Sequence, residues 1–429
     1  MYRLLHTLIL FTGIALSVHL ASAQDTPDRS SAGKGVADGG VRFEHDLSWA
    51  QIKAKANSEQ KYLFVDCFTT WCGPCRFMRT TIFPQPEMGS FFNDKFVSAE
   101  VQLDTTANDN DHVKGWYADA HALMTQYAIQ AFPTYLIFAP DGRLIHRIVG
   151  GTETAQKFID LVEQTFDTTK QYYTQLRQFE AGRRDSSFLR RLAQQSLDAY
   201  DLPDGQKVFN AWLAAQTSPY TPTGLQLMEE YTHGTADPGF AIFLHHAPEA
   251  NKILGANEAQ RLVTNILLTQ YVIPQIRVAG PNGPDFASIQ HVIAAKYPAQ
   301  AAEVTASGKV LYFKRKKDWP HFETAIVAYM QQYGAHATAA ELNDYAWTVF
   351  SNCPDMTCVA DALAWSKRSF KDKPVPGYMD TYANILYKMG KKTEALAWEQ
   401  KALNLSSGDE RAGYQATLDK MRKGERTWN

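Results

Sequence analysis

The chain has 429 residues, of which 45% are hydrophobic and 21% are charged. This is the composition of a globular protein that is long enough for two or three domains. The 43 Lys and Arg residues and the 45 Asp and Glu residues leave a formal net charge of -2. This near-neutral balance excludes an overall positive field of the kind that recruits nucleic acid or an anionic membrane.

The N-terminus has the pattern of a cleaved secretory signal peptide over residues 1–23. Arg3 precedes an apolar stretch from Leu4 to Val18, and the small residues Ala21-Ser22-Ala23 form a cleavage site. A retained membrane anchor is the alternative, but the apolar stretch is short for a span. The sequence predicts a secreted or periplasmic protein with no membrane span after signal removal. Residues 24–40, rich in Gly, Ser and Asp, predict a flexible leader.

Folded structure is expected to begin near Phe43. The spacing of apolar residues predicts a helix from Trp49 onward, and the run KYLFVDCF at 61–68 predicts a buried strand. The segment CGPC at 72–75 opens a second helix, which Pro84 ends or bends. The first part of the chain thus begins as helix, strand, helix.

The following segments continue this alternation. A second strand is predicted at 96–103 and a helix at 120–129. Two strands at 134–139 and 144–150 flank a Pro-Asp-Gly turn and predict a hairpin. A closing helix begins near Glu153. The pattern predicts an α/β domain with a mixed central sheet flanked by helices.

Helical spacing takes over at residue 171 and predicts an all-α domain of helical hairpins over 171–429. An internal repeat is visible near the end. The letters ALAW at 362–365 recur 33 residues later, and the letters YA at 345–346 recur 37 residues later. The four-residue difference is assigned to the connection between paired helices, which holds CPDMTC in the first copy. The spacing resembles tetratricopeptide repeats.

The stretch VDCFTTWCGPCRFM at 65–78 holds three of the five cysteines. The positive end of a helix is expected to lower the pKa of Cys72, and Cys75, one turn later, can attack the mixed disulfide that Cys72 makes. Pro74 is tolerated in the first helical turn. Structural zinc is the alternative, but it needs four ligands and no second Cys-x-x-Cys exists. Redox exchange is favoured, with no metal and no bound cofactor beyond the dithiol.

Three further residues support this interpretation. Asp66 lies in an apolar strand, where an unpaired carboxylate is costly, so its pKa is expected to be raised. Trp71 immediately precedes the first cysteine of the pair. Pro133 stands at the entrance of a strand, where a cis peptide bond can be held.

The letters WCGPC, with Asp66 before them and FPT after them, resemble the thioredoxin superfamily over residues 43–170. The signal peptide and the helical tail resemble exported bacterial thioredoxin-domain proteins. The resemblance implies that Cys72 attacks and Cys75 resolves. It also implies that Asp66 takes the resolving thiol's proton and that Pro133 is the cis-proline opposite the dithiol.

The same resemblance implies a thioredoxin fold for the segment 41–170 and a groove in which a substrate docks. The residues implied to border that groove are Trp71, Gly73, Pro74, Phe132 and Gly150. Two departures stand out. Glu100 falls where thioredoxins often carry a lysine near the buried acid. An insertion at 105–120 is expected to overhang the active-site face, and its acidic letters NDNDH are interpreted as a solvated loop rather than a calcium site.

The other cysteines have plainer interpretations. Cys67 points to the opposite face of the strand from Asp66 and is expected to be a buried core thiol, with a third redox thiol as the alternative. Cys353 and Cys358 are predicted to form a structural disulfide that pins a helix–helix loop. The alternative is a second redox centre, for which the sequence shows no evident helix N-terminus or partner acid.

Together these features predict an exported thiol–disulfide oxidoreductase, most simply a protein-disulfide reductase. Its partners would be protein disulfide substrates and an external thiol electron donor. A disulfide oxidase or isomerase is an alternative, because reduction potentials vary widely among such dithiols. Another alternative is an interaction protein whose helical domain binds a protein or peptide partner and whose first domain is secondary.

Overall fold

The computed structural model describes residues 39–428, apart from the side chain of Asp409. The predicted signal peptide and residues 24–38 of the predicted leader lie outside the described residues. The chain divides into two compact units after Asp167, close to the boundary predicted between residues 170 and 171. Within residues 39–428, no helix is both long enough and apolar enough to cross a membrane.

The first unit is built on a four-stranded mixed sheet, as the sequence predicts. Strand β1 pairs in parallel with β2 and antiparallel with β3, and β3 pairs antiparallel with β4, in the order β2-β1-β3-β4. The strands are β1 (Tyr62–Phe68), β2 (Phe96–Gln102), β3 (Thr134–Phe138) and β4 (Leu144–Val149). In this register Asp66 of β1 lies beside Glu100 of β2 and Tyr135 of β3.

Helices flank this sheet. They are α1 (Trp49–Glu59), α2 (Gly73–Phe77), α3 (Pro86–Lys95), α4 (Asp111–Gly115), α5 (Tyr117–Gln126) and α6 (Ala155–Glu163). Helix α2 continues as a wider π-type turn over Met78–Ile82, and Pro84 follows before α3 begins. The predicted insertion at 105–120 contains α4 and the start of α5.

An aromatic cluster holds β1 and β3 against α3 and α6. The Phe64 ring stacks 5.4 Å from Tyr135, and Tyr135 lies edge-on to Phe158 at 4.7 Å. Phe92 of α3 meets Phe64 at 4.8 Å. These four side chains are fully buried. The cluster therefore fixes the strand from which the loop carrying Cys72 emerges.

The last residues of the predicted leader are packed, which differs from the prediction. Val41, the residue after the leader, donates its backbone N–H to the Phe83 carbonyl at 2.9 Å. Gly39 and Gly40 pass so close to α3 that a Cβ added at Gly89 would lie 1.9 Å from the Gly39 oxygen. The absence of side chains allows this close approach, so glycine here marks packing rather than flexibility.

The described part of the second unit is all-helical, as predicted. Its helices are α7 (Tyr172–Glu180), α8 (Ser186–Asp198), α9 (Leu202–Ala214), α10 (Pro222–Glu230), α11 (Pro238–His245), α12 (Ala247–Leu254), α13 (Glu258–Leu267), α14 (Ile273–Val278), α15 (Phe286–Ala294), α16 (Ala301–Lys316), α17 (Trp319–Gln332), α18 (Ala339–Asn352), α19 (Met356–Ser369), α20 (Pro376–Lys388), α21 (Lys392–Leu405) and α22 (Gly408–Lys423). A π-type turn over Leu268–Val272 joins α13 to α14.

The internal repeat corresponds to the helix pairs α18–α19 and α20–α21, but the explanation of its offset is wrong. The two connections, 353–355 and 389–391, have the same length. The difference lies within the helices, because α19 begins at Met356 and already includes Cys358. The Asp355 side chain caps this helix by accepting the Thr357 N–H at 2.9 Å. Membership in the tetratricopeptide family stays a prediction.

Candidate active site

Cys72 and Cys75 lie at the start of α2, after the loop that follows strand β1. They form a disulfide with an S–S distance of 2.05 Å. Cys72 is the N-cap residue, and its Sγ accepts the backbone N–H of Cys75 at 3.1 Å. The residues between them, Gly73 and Pro74, are exposed, whereas the two cysteines are only 4% and 1% exposed. When the pair is reduced, this N–H is placed to stabilise a thiolate on Cys72.

The rim beside the disulfide is apolar and exposed. Trp71 is 68% exposed, and its ring lies edge-on to Phe132 at 5.7 Å. The Phe132–Pro133 peptide bond is cis, in agreement with the prediction. The Pro133 carbonyl accepts the Gly150 N–H at 2.9 Å, and Gly150 has φ +92°. The structure thus brings four of the residues predicted from the resemblance to one rim.

An open depression of about 430 Å³ lies on the helix side of the cysteines. Its lining residues are Gly73, Pro74, Phe77, Gly151, Thr152 and Glu153. A Cβ at Gly151 would lie 3.2 Å from Met78 Cγ, so a side chain there would press on the turn after α2. Phe77, Gly151 and Thr152 are site residues that the sequence reasoning missed.

Asp66 is 1% exposed, and neither carboxylate oxygen has a hydrogen-bond partner among the described residues. Burial, followed by the nearby charge of Glu100, raises the pKa of Asp66 well above its usual value, and Arg79 offsets this in part. The prediction of a raised pKa is confirmed. A buried carboxyl of this kind can take up or release a proton near neutral pH.

Arg79 supplies a positive charge near Asp66, which the sequence analysis did not predict. Its Nε lies 3.1 Å from Glu100 Oε1, and its guanidinium lies 4.5 Å from the Phe68 ring centroid. Glu100 therefore does stand beside Asp66, but it is paired with a cation. Helical spacing could have revealed Arg79, because it follows Cys75 by four residues and so falls one turn further along.

The start of the insertion is tied to the active-site loop. Asp104 Oδ1 accepts the backbone N–H of Thr70 at 3.0 Å, and Oδ2 accepts the Thr70 hydroxyl. Thr70 immediately precedes Trp71, so this carboxylate fixes the loop that leads into Cys72. The predicted overhang of the insertion above the active-site face stays a prediction.

The interpretation of NDNDH as a solvated loop is wrong for Asp109. This side chain is 9% exposed and accepts the Thr106 N–H at 2.8 Å, the Tyr117 hydroxyl at 2.7 Å and Gln102 Nε2 at 3.0 Å. Burial acts to raise the pKa of Asp109, but these hydrogen bonds together lower it. Asp109 therefore anchors the insertion.

The remaining cysteines are free thiols. Cys67 is fully buried, and burial followed by the Asp66 charge raises its pKa, which confirms the predicted core thiol. The predicted disulfide between Cys353 and Cys358 is not formed: both are free and buried in the same apolar cluster. Because Cys358 belongs to the first turn of α19, the pair spans a helix end rather than an exposed loop.

Comparison with known proteins agrees with this geometry. The Thioredoxin-like domain family matches residues 47–166. Thioredoxin H1 of Arabidopsis thaliana is 30% identical over 103 residues, which are 24% of this chain and 74% of that protein. Thioredoxin-2 of Pyricularia oryzae is 29% identical over 106 residues, 25% of this chain but only 51% of that protein. The oxidised C-terminal domain of DsbD from Neisseria meningitidis is 25% identical, with a TM-score of 0.21, over 28% of this chain and 97% of that domain.

The chain belongs to the thioredoxin superfamily through its first unit. That unit carries the close cysteine pair Cys72 and Cys75, and the thioredoxin-like homologues it resembles are thiol–disulfide oxidoreductases. The family match ends at residue 166, so the helical unit lies outside it.

Proposed function

We propose that this protein is an exported protein-disulfide reductase. The observation that supports this most directly is the hydrogen bond from the Cys75 N–H to Cys72 Sγ at 3.1 Å. It places a donor at the sulfur that must carry negative charge before it can attack. Cys75 is the more sheltered of the two sulfurs, which suits a group that reacts only after a substrate has bound covalently.

The reaction has two steps. In the reduced enzyme the Cys72 thiolate attacks one sulfur of a substrate disulfide, forms a mixed disulfide and releases the other substrate sulfur as a thiolate. Cys75 then loses its proton to Asp66 and attacks Cys72 Sγ, which releases the second substrate sulfur. The substrate gains two electrons, and the enzyme is left with the Cys72–Cys75 disulfide. An external thiol donor returns the two electrons.

The substrate is proposed to be a protein segment lying across the rim. The exposed rings of Trp71 and Phe77 offer apolar contact on either side of the disulfide. The depression that Phe77 helps to line also includes Gly73 and Gly151, which place no side chain there. An extended chain can therefore bring its own disulfide close to Cys72 without displacing packed residues.

The reducing direction is supported by the Gly-Pro dipeptide between the cysteines and by the buried acid Asp66, both of which resemble thioredoxin. The test is the reduction potential of the Cys72–Cys75 pair, measured against glutathione and thioredoxin buffers, together with insulin reduction. We expect a reduction potential of about -270 mV. A reduction potential of about -120 mV, typical of a strong oxidant, would contradict the reductase assignment.

Export is supported by the signal pattern of residues 1–23. When the full sequence is expressed in a Gram-negative host, the protein recovered from the periplasm should begin at Gln24, as measured by intact mass. Cytoplasmic protein that retains Met1 would contradict export while leaving the redox proposal intact.

A further inference from the structure

A second pair of thiols lies beneath the connection between α18 and α19. Cys353 is the first residue of this connection, and Cys358 is the third residue of α19. The four residues between them, 354–357, are all exposed. Cys353 and Cys358 are only 1% and 3% exposed, which is close to the values of the pair that forms the active-site disulfide. Burial of this degree therefore does not exclude exchange, and one exposed turn covers both sulfurs.

Two charged side chains reach this pair from other helices. Lys388 of α20 donates from Nζ to the Phe350 carbonyl at 2.6 Å and to the Cys353 carbonyl at 3.0 Å. Glu323 of α17 interacts with the Cys353 thiol, and its Oε1 is buried with no hydrogen-bond partner among the described residues. Burial lowers the pKa of Lys388, while the two thiols and Glu323 act against that shift.

The two thiols belong to the same apolar cluster and flank one exposed turn of four residues. Interaction with Cys358, followed by burial and by Glu323, raises the pKa of Cys353 well above its usual value. The surrounding cluster is otherwise apolar, with Phe322, Ile326 and Val349 among its members. Glu323 and Lys388 are half-buried, and placing charged groups against an apolar cluster has a desolvation cost that a core thiol does not require. Their presence therefore points to a chemical role for the pair.

We propose that Cys353 and Cys358 form a second, reversible dithiol–disulfide couple, separate from Cys72 and Cys75, that exchanges with external disulfides. Cys358 is the attacking residue, because it lies in the first turn of a 14-residue helix and is the more exposed of the two. Glu323 is the proton acceptor for Cys353. Lys388 provides positive charge beside whichever sulfur is ionised.

The exchange balances as follows. The Cys358 thiolate attacks one sulfur of an external disulfide, forms a mixed disulfide and releases the other sulfur as a thiolate, which takes the proton that Cys358 lost. Cys353 then transfers its proton to Glu323 and attacks Cys358 Sγ, releasing the second external sulfur as a thiolate, which takes the proton from Glu323. Two electrons pass to the external disulfide, which leaves as two thiols, and Cys353–Cys358 becomes a disulfide.

The test uses the full chain and a Cys72→Ser/Cys75→Ser version of it, with mixtures of reduced and oxidised glutathione as the probe. After acid quenching, alkylation and trypsin digestion, Cys353 and Cys358 appear together in the peptide 318–367. The other three cysteines appear in the peptide 62–76. The two couples are thus read separately, and the test does not depend on the proposed reductase activity.

We expect the 318–367 peptide to change from doubly alkylated to disulfide-bonded in one two-electron step as oxidised glutathione increases. The peptide should return fully to the doubly alkylated form when reduced glutathione is restored. This should hold for the unaltered chain and for its Cys72→Ser/Cys75→Ser version. A peptide that is doubly alkylated at every ratio would overturn the proposal by showing core thiols only. A peptide that is disulfide-bonded at every ratio would also overturn it by showing a permanent structural bridge.

The role of Lys388 has its own test. Oxidation of the 318–367 peptide should be about fivefold slower in Lys388→Gln than in Lys388→Arg, because only the former loses the positive charge beside the sulfurs. Both variants lose the same Nζ geometry, so their thermal unfolding controls for packing changes. Equal oxidation rates in the two variants would overturn the assignment of Lys388.

Discussion

The two cysteine pairs of this chain are similar in burial and different in state. Cys72 and Cys75 are 4% and 1% exposed and are joined, whereas Cys353 and Cys358 are 1% and 3% exposed and are free. The first pair begins a single helix, so one backbone N–H reaches the outer sulfur. The second pair joins the end of one helix to the start of the next. Backbone geometry around the sulfurs therefore differs more than their burial does.

The acids beside the two pairs are also arranged differently. Asp66 comes from the strand next to the disulfide, and the nearby cation Arg79 is held by Glu100. Glu323 comes from another helix, and Lys388, whose Nζ donates to the Cys353 carbonyl, adds a nearby positive charge. In the first unit Asp66 is the group that gains or loses a proton beside the disulfide. In the second unit the carboxyl of Glu323 and the ammonium group of Lys388 carry opposite charges near the thiols. This difference predicts a faster couple in the first unit, where the rim beside the cysteines is exposed, and a slower couple in the second.

The largest expected effect follows from removal of the attacking sulfur. Cys72→Ser should lower insulin reduction by roughly a thousandfold or more, because Cys72 is the sulfur that starts the exchange at the exposed rim. Cys75→Ser should instead accumulate a mixed disulfide, detected by mass. The matched control is Cys67→Ala, which removes a buried thiol outside the reaction and should retain turnover.

One outcome of this experiment would contradict the assignment of protein reduction to the first cysteine pair. If Cys72→Ser keeps substantial turnover, and if that turnover disappears when Cys358 is also replaced by Ser, protein reduction belongs to the second pair. The assignment of the exposed rim at Trp71 as the substrate site would then be wrong.

Asp66→Asn is expected to slow the reaction and to stabilise the first unit. Loss of the proton acceptor should lower turnover about 100-fold at neutral pH. The folded-state pKa of Asp66 is raised, so its contribution to the free energy of unfolding is lost as the pH rises from about 4 towards that pKa. Asp66→Asn removes this loss, and the urea midpoint should therefore fall less between about pH 5 and about pH 8 than in the wild type.

Asp109→Asn is a control in the same unit, because the pKa of Asp109 is shifted in the opposite direction to that of Asp66. The folded-state pKa of Asp109 is lowered, so its contribution to stability is present above the unfolded-state pKa and is lost as the pH falls. This variant should be less stable than the wild type at neutral pH and should differ from it less in acid. If both substitutions shift the urea midpoint in the same direction, the contrast drawn between the two carboxyls is wrong.

The helical unit also has a buried acid, Glu399, that takes no part in the proposed reactions. Glu399 of α21 is fully buried and interacts with Asp380 of α20, which also accepts Asn384 Nδ2 at 3.0 Å. Burial raises the pKa of both carboxyls, and the charge of Asp380 raises that of Glu399 further, whereas hydrogen bonds from Glu399 and Asn384 partly offset the shift of Asp380. The stability of this unit should therefore fall as the pH rises from about 4.5 through neutrality.

Glu399→Gln should flatten this pH dependence and raise the free energy of unfolding at neutral pH by about 1 kcal/mol. Thermal unfolding followed by far-UV circular dichroism measures it, and insulin reduction should not change. Glu394→Gln, at an exposed position in the first turn of the same helix, makes the same change in net charge and is the control. An unaltered pH dependence in Glu399→Gln would show that the pair does not share a proton.

Much of the first site was predictable because its determinants are close in sequence or shared with relatives. The order of Trp71, Cys72 and Cys75 gives a helix start, and the position of Asp66 inside an apolar run gives a buried acid. The cis bond at Pro133 was predictable from its place before a strand. These features depend on local backbone geometry, which short patterns determine well.

The parts that were missed depend on where elements begin and on contacts between distant segments. Arg79 reaches Glu100 only because the turn after α2 widens and because β1 and β2 adopt this register. The predicted Cys353–Cys358 disulfide assumed a loop, whereas the Asp355 cap starts α19 early enough to include Cys358. Lys388 lies 35 residues from Cys353 in sequence, and no spacing rule connects them.

The smallest effect concerns the loop in front of each pair. Asp104→Ala removes two hydrogen bonds to Thr70 and should raise the KM for insulin about fivefold, because the segment carrying Trp71 is less firmly held. The kcat should change less, since the Cys75 N–H still reaches Cys72. Asp111→Ala, an exposed change in the same insertion, is the matched control and should leave both constants unaltered.

The corresponding loop residue of the second unit is Asp355, whose side chain starts α19. Asp355→Ala should leave the insulin kinetics unaltered and should instead slow oxidation of Cys353 and Cys358, because Cys358 then loses its place in a fixed first turn. Asp104→Ala should have no effect on that oxidation. If either substitution changes both couples, the two loops do not act locally, and the separation of the two cysteine pairs into independent sites is wrong.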